Sequence, residues 1–263
     1  MNQGFIKRIS RKAVITAGKY VIDRFQRDPL STGGMKEVST LISLSSRDHM
    51  IQVIDDYLQI QETSGNDHFT RLKVSSGEIH LVHLDGRECF IYGQPNFSLA
   101  ISFVVEGITK MSGVFNPYYK ELFFAEDLTQ VKRNNIVTQV NDVYSIEESF
   151  LGFSYRGEYD SNGMKRLNTL FNIMRQPVRT MIPGSDLYGL TLVANGNLGG
   201  MILATPDLDL IGPGIFLVEA GGGKVTDLQG AQVSPSSEFV VATNGKLHSA
   251  LINQGAFINL SNQ

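Results

Sequence analysis

Val82-His83-Leu84-Asp85-Gly86-Arg87 is the stretch whose reading decides the fold. The apolar run over 79–84 reads as a buried strand. It delivers an acid, a glycine and a cation into a loop. Layered α/β proteins place ligand chemistry at strand ends of this kind. Asp-Gly is also the strongest hairpin signal, so a tight turn is the competing reading. The sequel, Phe90-Ile91-Tyr92-Gly93-Gln94-Pro95-Asn96-Phe97, adds aromatic residues and a Gly-x-Pro break.

The 263 residues suffice for one large domain or two small ones with a sizeable core. A hydrophobic content of 42% with 19% charged residues is that of a globular chain. The net charge of -3 argues against a general nucleic-acid binder, which needs a basic surface. Cys89 is the only cysteine, so no intrachain disulfide forms and a cytoplasmic setting is expected. No run approaches the ~18 apolar residues of a membrane span. Lys7, Arg8, Arg11 and Lys12 read as the solvated face of a first helix rather than an organellar leader.

Outward from the opening stretch, residues 5–25 carry apolar side chains at helical spacing, and Pro29 with Gly33-Gly34 is expected to end that helix. Residues 38–45 read as a short strand. Ser45 or Ser46 then caps a helix to about Leu58, with Met50, Ile54, Tyr57 and Leu58 on one face. Gln61-Glu62-Thr63-Ser64 reads as a polar loop, and 68–77 is ambiguous. Strands over 99–105, 109–115 and 121–124 form an antiparallel meander. The polar stretch 127–142 suggests a boundary, giving an N-terminal α+β half (1–136) and a C-terminal α/β half (137–263). The second half alternates strands at 150–155, 178–182, 198–203, 224–227 and 239–242 with helices at 162–174, after Gly184-Ser185-Asp186, after Asp207, and at 246–253. In the 162–174 helix Met164, Leu167, Leu170, Phe171 and Met174 are expected inward. Pro213 interrupts an otherwise helical pattern.

Glu62, Asp85 and Asp209 stand at element ends, from which carboxylates can converge on a hard cation such as Mg²⁺. Solvated acids at loop ends are the plainer alternative, because no short spacing brings the three together. The amides at Gly184 and Ser185 open a helix and can hold an anion. Asp186 in that first turn argues against a phosphate there.

Together these motifs resemble the inositol monophosphatase family, Mg²⁺-dependent, lithium-sensitive phosphatases of inositol and related sugar phosphates. The family's Asp-Pro-Ile/Leu-Asp-Gly-Thr signature is similar to Val82 through Arg87, and its Gly-x-Pro-Asn/His-Phe segment to Gly93 through Phe97. Gly184-Ser185 resembles its Gly-Ser-Ala helix. Leu208-Asp209, with Glu219-Ala220-Gly221-Gly222, resembles its Trp-Asp…Glu-Ala-Gly-Gly signature. The resemblance covers about residues 40 to 255. It implies a layered α-β-α-β-α sandwich, a site between the halves, metal ligands at Glu62, Asp85 and Asp209, the Leu84 carbonyl near a metal, and a homodimer.

The departures from the family pattern fall at the site. The metal-bridging aspartate is replaced by Val82, and the threonine that positions the attacking water by Arg87. The second acid of the Gly-Glu-Glu loop is Thr63, and the inositol-contacting glutamate falls on Ile202. A two-metal phosphatase needs the bridging carboxylate. A guanidinium ~4 Å from a cation repels it by several kcal/mol. The expectation is therefore a catalytically impaired protein with weak or absent Mg²⁺ binding, in which Arg87 replaces a metal by pairing with Glu62, Asp85 or Asp209. Gly86, Arg87, Gly184 and Ser185 are candidates to hold a phosphorylated small molecule, and a protein partner is the other expected occupant. Two alternatives stay open: an active phosphomonoesterase with altered ligation, and a rewired site in which His83, two residues from Asp85, joins it in binding Zn²⁺ or Mn²⁺.

Overall fold

The computed structural model describes residues 3–26, 35–157 and 160–253. Helix α1 (Gln3–Gln26) buries Ile6, Ile9, Ala13, Ala17 and Val21 on one stripe. A helix of this length depends on that packed stripe more than on propensity. Pro29, Gly33 and Gly34, expected to end it, lie outside the described residues.

Helix α2 (Met35–Asp55) overturns the strand expected at 38–45. Ile42, Met50, Val53 and Ile54 bury one helical face, while Tyr57 beyond the helix end is exposed. Ser46 is not a cap. It is buried in mid-helix, where its Oγ donates to the His83 carbonyl at 2.7 Å. Ser45 and Ser46 suggested a boundary because such residues favour turns. Here the hydroxyls of Ser43 and Ser46 find tertiary partners instead.

The strands β1 (Gln61–Gly65), β2 (Phe69–Val74), β3 (Gly77–Asp85), β4 (Ser98–Val105), β5 (Ile108–Asn116), β6 (Glu121–Ala125), β7 (Val131–Arg133) and β8 (Ile136–Thr138) form one antiparallel sheet in sequential order. The short helix α3 (Arg87–Ile91), not foreseen from the sequence, interrupts it after β3. The polar stretches at 61–64 and 127–142 supply outer strands: β1, and the pair β7 and β8. Outer strands are solvated, so they lack the apolar alternation that marks a strand in sequence.

A second sheet has the order β10-β9-β11-β13-β12, from β9 (Phe150–Tyr155), β10 (Arg179–Met181), β11 (Gly200–Ala204), β12 (Lys224–Thr226) and β13 (Phe239–Thr243). β10, β9 and β11 are parallel, and β13 runs antiparallel to its neighbours β11 and β12. Helices α4 (Ser161–Met174), α5 (Asp186–Ala194) and α6 (Leu208–Ala220) connect them, and a helical turn at 248–253 follows. Pro213 lies inside α6 without ending it. On α4 the expected inward set is corrected: Met164 and Phe171 are exposed, and Gly163, Thr169, Leu170 and Ile173 are buried.

Side-chain alternation along the strands builds the layers. On β4, Leu99 and Ile101 pack with α1 and α2, and Ala100 packs the other way with Leu187, Leu190 and Leu217 of α5 and α6. On β11, Met201 and Leu203 face that same helical pair, while Ile202 and Ala204 face Leu170 and Ile173 of α4. The result is an α-β-α-β-α sandwich with α5 and α6 buried between two sheets. These central helices are apolar on nearly every side, as a doubly covered layer requires.

Candidate functional site

Asp85 is aimed by an irregularity in β3. The pairing runs through Leu81 with Ile101 and Val82 with Ala100, then resumes at Asp85 with Ser98. β3 thus spends one residue more than β4 over this interval, which is a β-bulge. Regular alternation would turn Asp85 toward α1 and α2. With the bulge, Leu84 joins the α1/α2 core and Asp85 turns to the N-terminus of α5.

There the Asp85 carboxylate is only 1% exposed and fully engaged. Oδ2 accepts from the Ser185 hydroxyl at 2.7 Å and the Leu187 amide at 2.9 Å. Oδ1 accepts from Arg156 Nη2 at 2.6 Å. Arg156 Nε donates in turn to Asp186 Oδ2 at 2.5 Å. One guanidinium from the end of β9 therefore bridges two buried carboxylates. Burial pushes the Asp186 carboxyl above the usual range and the Asp85 charge adds to that, while Arg156 opposes both. Burial by itself would lower the pKa of Arg156, but Asp85 and Asp186 raise it above the ordinary arginine value.

Sequence reasoning missed Arg156. A signal was present, because Arg156 follows the last residue of β9, the kind of position that singled out Asp85.

Arg87 does not meet Glu62, Asp85 or Asp209 through any described ion pair. It is buried toward α2, donating to Ser43 Oγ at 2.9 Å, to Asp67 Oδ2 at 3.0 Å and to the Asp67 carbonyl. Its guanidinium holds the Asp67 carboxyl below the ordinary carboxylate range. Asp209, in the first turn of α6, pairs instead with Arg71 of β2 at 2.6 Å. Glu62 is exposed on β1, opposite Leu72. Val82 is fully buried between the sheet and the central helices.

The bulge also separates His83 from Asp85. The His83 ring is buried, with Nε2 2.9 Å from Thr70 Oγ1, and Thr70 shares the α1/α2 face with Leu72. Burial, helped by the charge of Arg47, pushes the His83 pKa down to about 3. The expected shared face for His83 and Asp85 is thus corrected.

Gly86 caps α3 with φ +77°, and a Cβ there would come within 2.4 Å of the Asn96 carbonyl. Gly184 has φ +78°, and a Cβ would meet Cys89 Sγ at 2.2 Å. Ser185 caps α5, accepting from the Tyr188 amide at 3.1 Å. The anion held at this helix start is Asp85 itself, with Asp186 beside it.

These donors do not fit a two-metal centre. Mg²⁺ takes oxygen ligands in near-octahedral array. Both oxygens of Asp85 are committed to protein donors, and Asp209 Oδ1 pairs with Arg71. Among the described residues no three His, Cys, Asp or Glu side chains lie together as metal ligands.

The sandwich, the Asp-Gly strand end and the Ser185-capped helix define a class. The sequence pattern of the inositol monophosphatase family matches residues 8–259, and the chain belongs to that family. It is 25% identical over 255 residues to Nus factor SuhB of Pasteurella multocida, covering 94% of each chain. It is 24% identical over 169 residues to a fructose-1,6-bisphosphatase/inositol-1-monophosphatase of Thermotoga maritima, and 29% identical over 171 to an inositol-1-monophosphatase of Synechocystis. Those two matches span 64% and 58% of the relatives' own lengths. The fold superposes on the suhB protein of Bartonella henselae with a TM-score of 0.80, at 17% identity, over 95% of this chain and 99% of that one. The Anabaena inositol monophosphatase gives 0.77 at 18% identity, over 97% and 96%. Among the described residues no helix is long and apolar enough to cross a membrane.

Proposed function

We propose that this chain is a catalytically impaired member of the inositol monophosphatase family that acts by binding a protein partner. The observation that carries the reading is the commitment of Asp85: both oxygens are taken by Arg156, Ser185 and the Leu187 amide. Metal-activated hydrolysis needs carboxylates free to hold two cations around a water. Val82 offers no bridging ligand, and an internal guanidinium supplies the positive charge between Asp85 and Asp186. Asp85 thus keeps a structural role that needs no metal.

Of the two occupants expected from the sequence, the geometry favours a protein over a phosphorylated small molecule. Arg71, Arg87 and Arg156 each already face a carboxylate. Asp85 occupies the amide at the start of α5 that a phosphate would use. A relative that matches nearly end to end is named a Nus factor, which is in keeping with a role exercised through a partner. A homodimer is part of the proposal. Exposed Val178 and Ile182 flank the edge strand β10, and Phe150, opposite Arg179 of that strand, is also exposed. A cytoplasmic setting completes it.

Calorimetry with Mg²⁺ and Mn²⁺, and a hydrolysis panel of inositol, sugar and nucleotide phosphates, test the reading. The expected results are no saturable site at sub-millimolar concentration and no turnover. A sub-millimolar site together with turnover near ~1 per second, the low end of typical enzymes, overturns it in favour of an active phosphomonoesterase.

A further inference from the structure

A groove of about 350 Å³ lies between α1 and the first sheet, away from the acids described above. Its floor is apolar: Ile15 and Ile22 of α1, Phe115 of β5 and Leu122 of β6. The floor exists because α1 lies directly on β5 at Gly18, where a Cβ would come within 2.4 Å of the Phe115 ring. Phe115 and Leu122 are buried, and Ile15 and Ile22 are half-buried. Three cations, Arg11, Lys19 and Lys120, line the same groove, and no acid does.

The cations do not cluster through sequence proximity alone. Arg11 Nη2 donates to Asn135 Oδ1 at 2.8 Å, so a carboxamide in the β7–β8 turn aims it. Asn134 in the same turn donates from Nδ2 to the Lys120 carbonyl at 3.0 Å, tying the turn to the loop that bears Lys120. Asn134 and Asn135 both adopt left-handed backbone, at φ +48° and +73°. Asparagine tolerates that conformation better than most residues. In a chain of net charge -3, a rim of three cations without an acid is a local reversal of sign.

We infer that this groove binds a fatty acylate, its hydrocarbon tail along Ile15, Ile22, Phe115 and Leu122 and its carboxylate among Lys19, Lys120 and Arg11. The volume falls at the lower end of small-molecule sites, roughly 300–1,000 Å³, which suits a medium-length chain. The pairing of apolar floor with cationic rim sets the class: hydrocarbon burial supplies affinity, and the rim selects an anion over a neutral or cationic head. The inference is independent of the Asp85–Arg156 site.

Titration of the full chain with decanoate, decanol and decyltrimethylammonium, each below its aggregation concentration, tests it by calorimetry. Decanoate is expected to bind saturably, one per chain, with decanol and the cationic amphiphile each weaker by roughly tenfold or more. The double variant Lys19→Glu with Lys120→Glu, both exposed and checked for the fold by circular dichroism, is expected to lose decanoate binding to a similar extent. Absence of saturable decanoate binding, equal binding of decanol, or an unchanged double variant would each overturn it.

Discussion

The Arg156 guanidinium lies 2.6 Å from the Asp85 carboxylate, tying the end of β9 to the end of β3 across 71 residues of sequence. The same group reaches Asp186 at 2.5 Å. Two buried acids therefore depend on one cation. Replacing Arg156 by methionine leaves both without their counter-cation, and removal of one partner from a buried pair costs roughly 3–5 kcal/mol. Urea unfolding at neutral pH is expected to show this loss, with Arg156→Lys recovering part of it.

The pH dependence of the same variant has a definite sign. Asp186 has its folded pKa raised, so the folded state holds a proton that the unfolded state has released. Stability from this group falls as pH rises from the ordinary carboxyl range near ~4 toward the folded value. Without Arg156 the carboxyl moves further up. Arg156→Met is expected to lose stability more steeply between acid and neutral pH than the parent, as unfolding midpoints across that range will read.

Arg71 and Asp209 give a contrasting case. Their side chains are 37% and 51% exposed. Water screens such a pair, and its worth is about 0–1 kcal/mol. Arg71→Ala is expected to change the unfolding free energy by less than ~1 kcal/mol. A larger loss would mean that Arg71 supports more than this ion pair.

Two sets of substitutions separate the arginines that could oppose a metal. Val82→Asp with Arg87→Thr repairs the family signature, yet Arg87 faces Asp67 and Ser43 rather than Asp85. That pair is expected to gain no Mg²⁺ binding. Val82→Asp with Arg71→Ser and Arg156→Ser frees Asp85 Oδ1 and Asp209 and is expected to gain it. Calorimetry, with circular dichroism to verify the fold, distinguishes the two, and Mg²⁺ binding by the first pair alone would refute the role given to Arg156.

His83 and His248 should make the protein acid-labile. Burial lowers their pKa values to about 3 and about 4. A histidine with a depressed folded pKa takes up its proton first in the unfolded chain. Its stabilising contribution is complete above the unfolded value near ~6.5 and is lost as pH falls from there toward the folded value. Unfolding midpoints are expected to drop through that window. His83→Asn should flatten the drop across that whole window, whatever its effect on stability near pH 7.

Much of the fold was legible locally. The helical stripe of α1, the apolar runs of β3 to β6, the Asp207 cap before α6 and the Gly-Ser cap before α5 all act within a few residues. Failures came where local preference met tertiary context. The serines of α2 found partners on β3 and in the β1–β2 turn, so a stretch that read as strand and cap became helix. The solvated outer strands carried no apolar period to detect.

The candidate site divides along the same line. The sequence by itself placed Asp85-Gly86 at a strand end, Ser185 at a helix start and an apolar Val82 where a two-metal site needs a carboxylate. The first two are facts of residue type and short spacing, and the third follows from the resemblance to the family signature. Only the tertiary structure decided that Arg156 holds Asp85, Arg71 holds Asp209 and Arg87 turns to Asp67. Each pair joins elements 20 to 138 residues apart. Which charge meets which depends on register, and the one-residue bulge in β3 sets where Asp85 points. Periodicity shows which face a side chain occupies on a regular strand, and a bulge resets that face without a mark in the pattern.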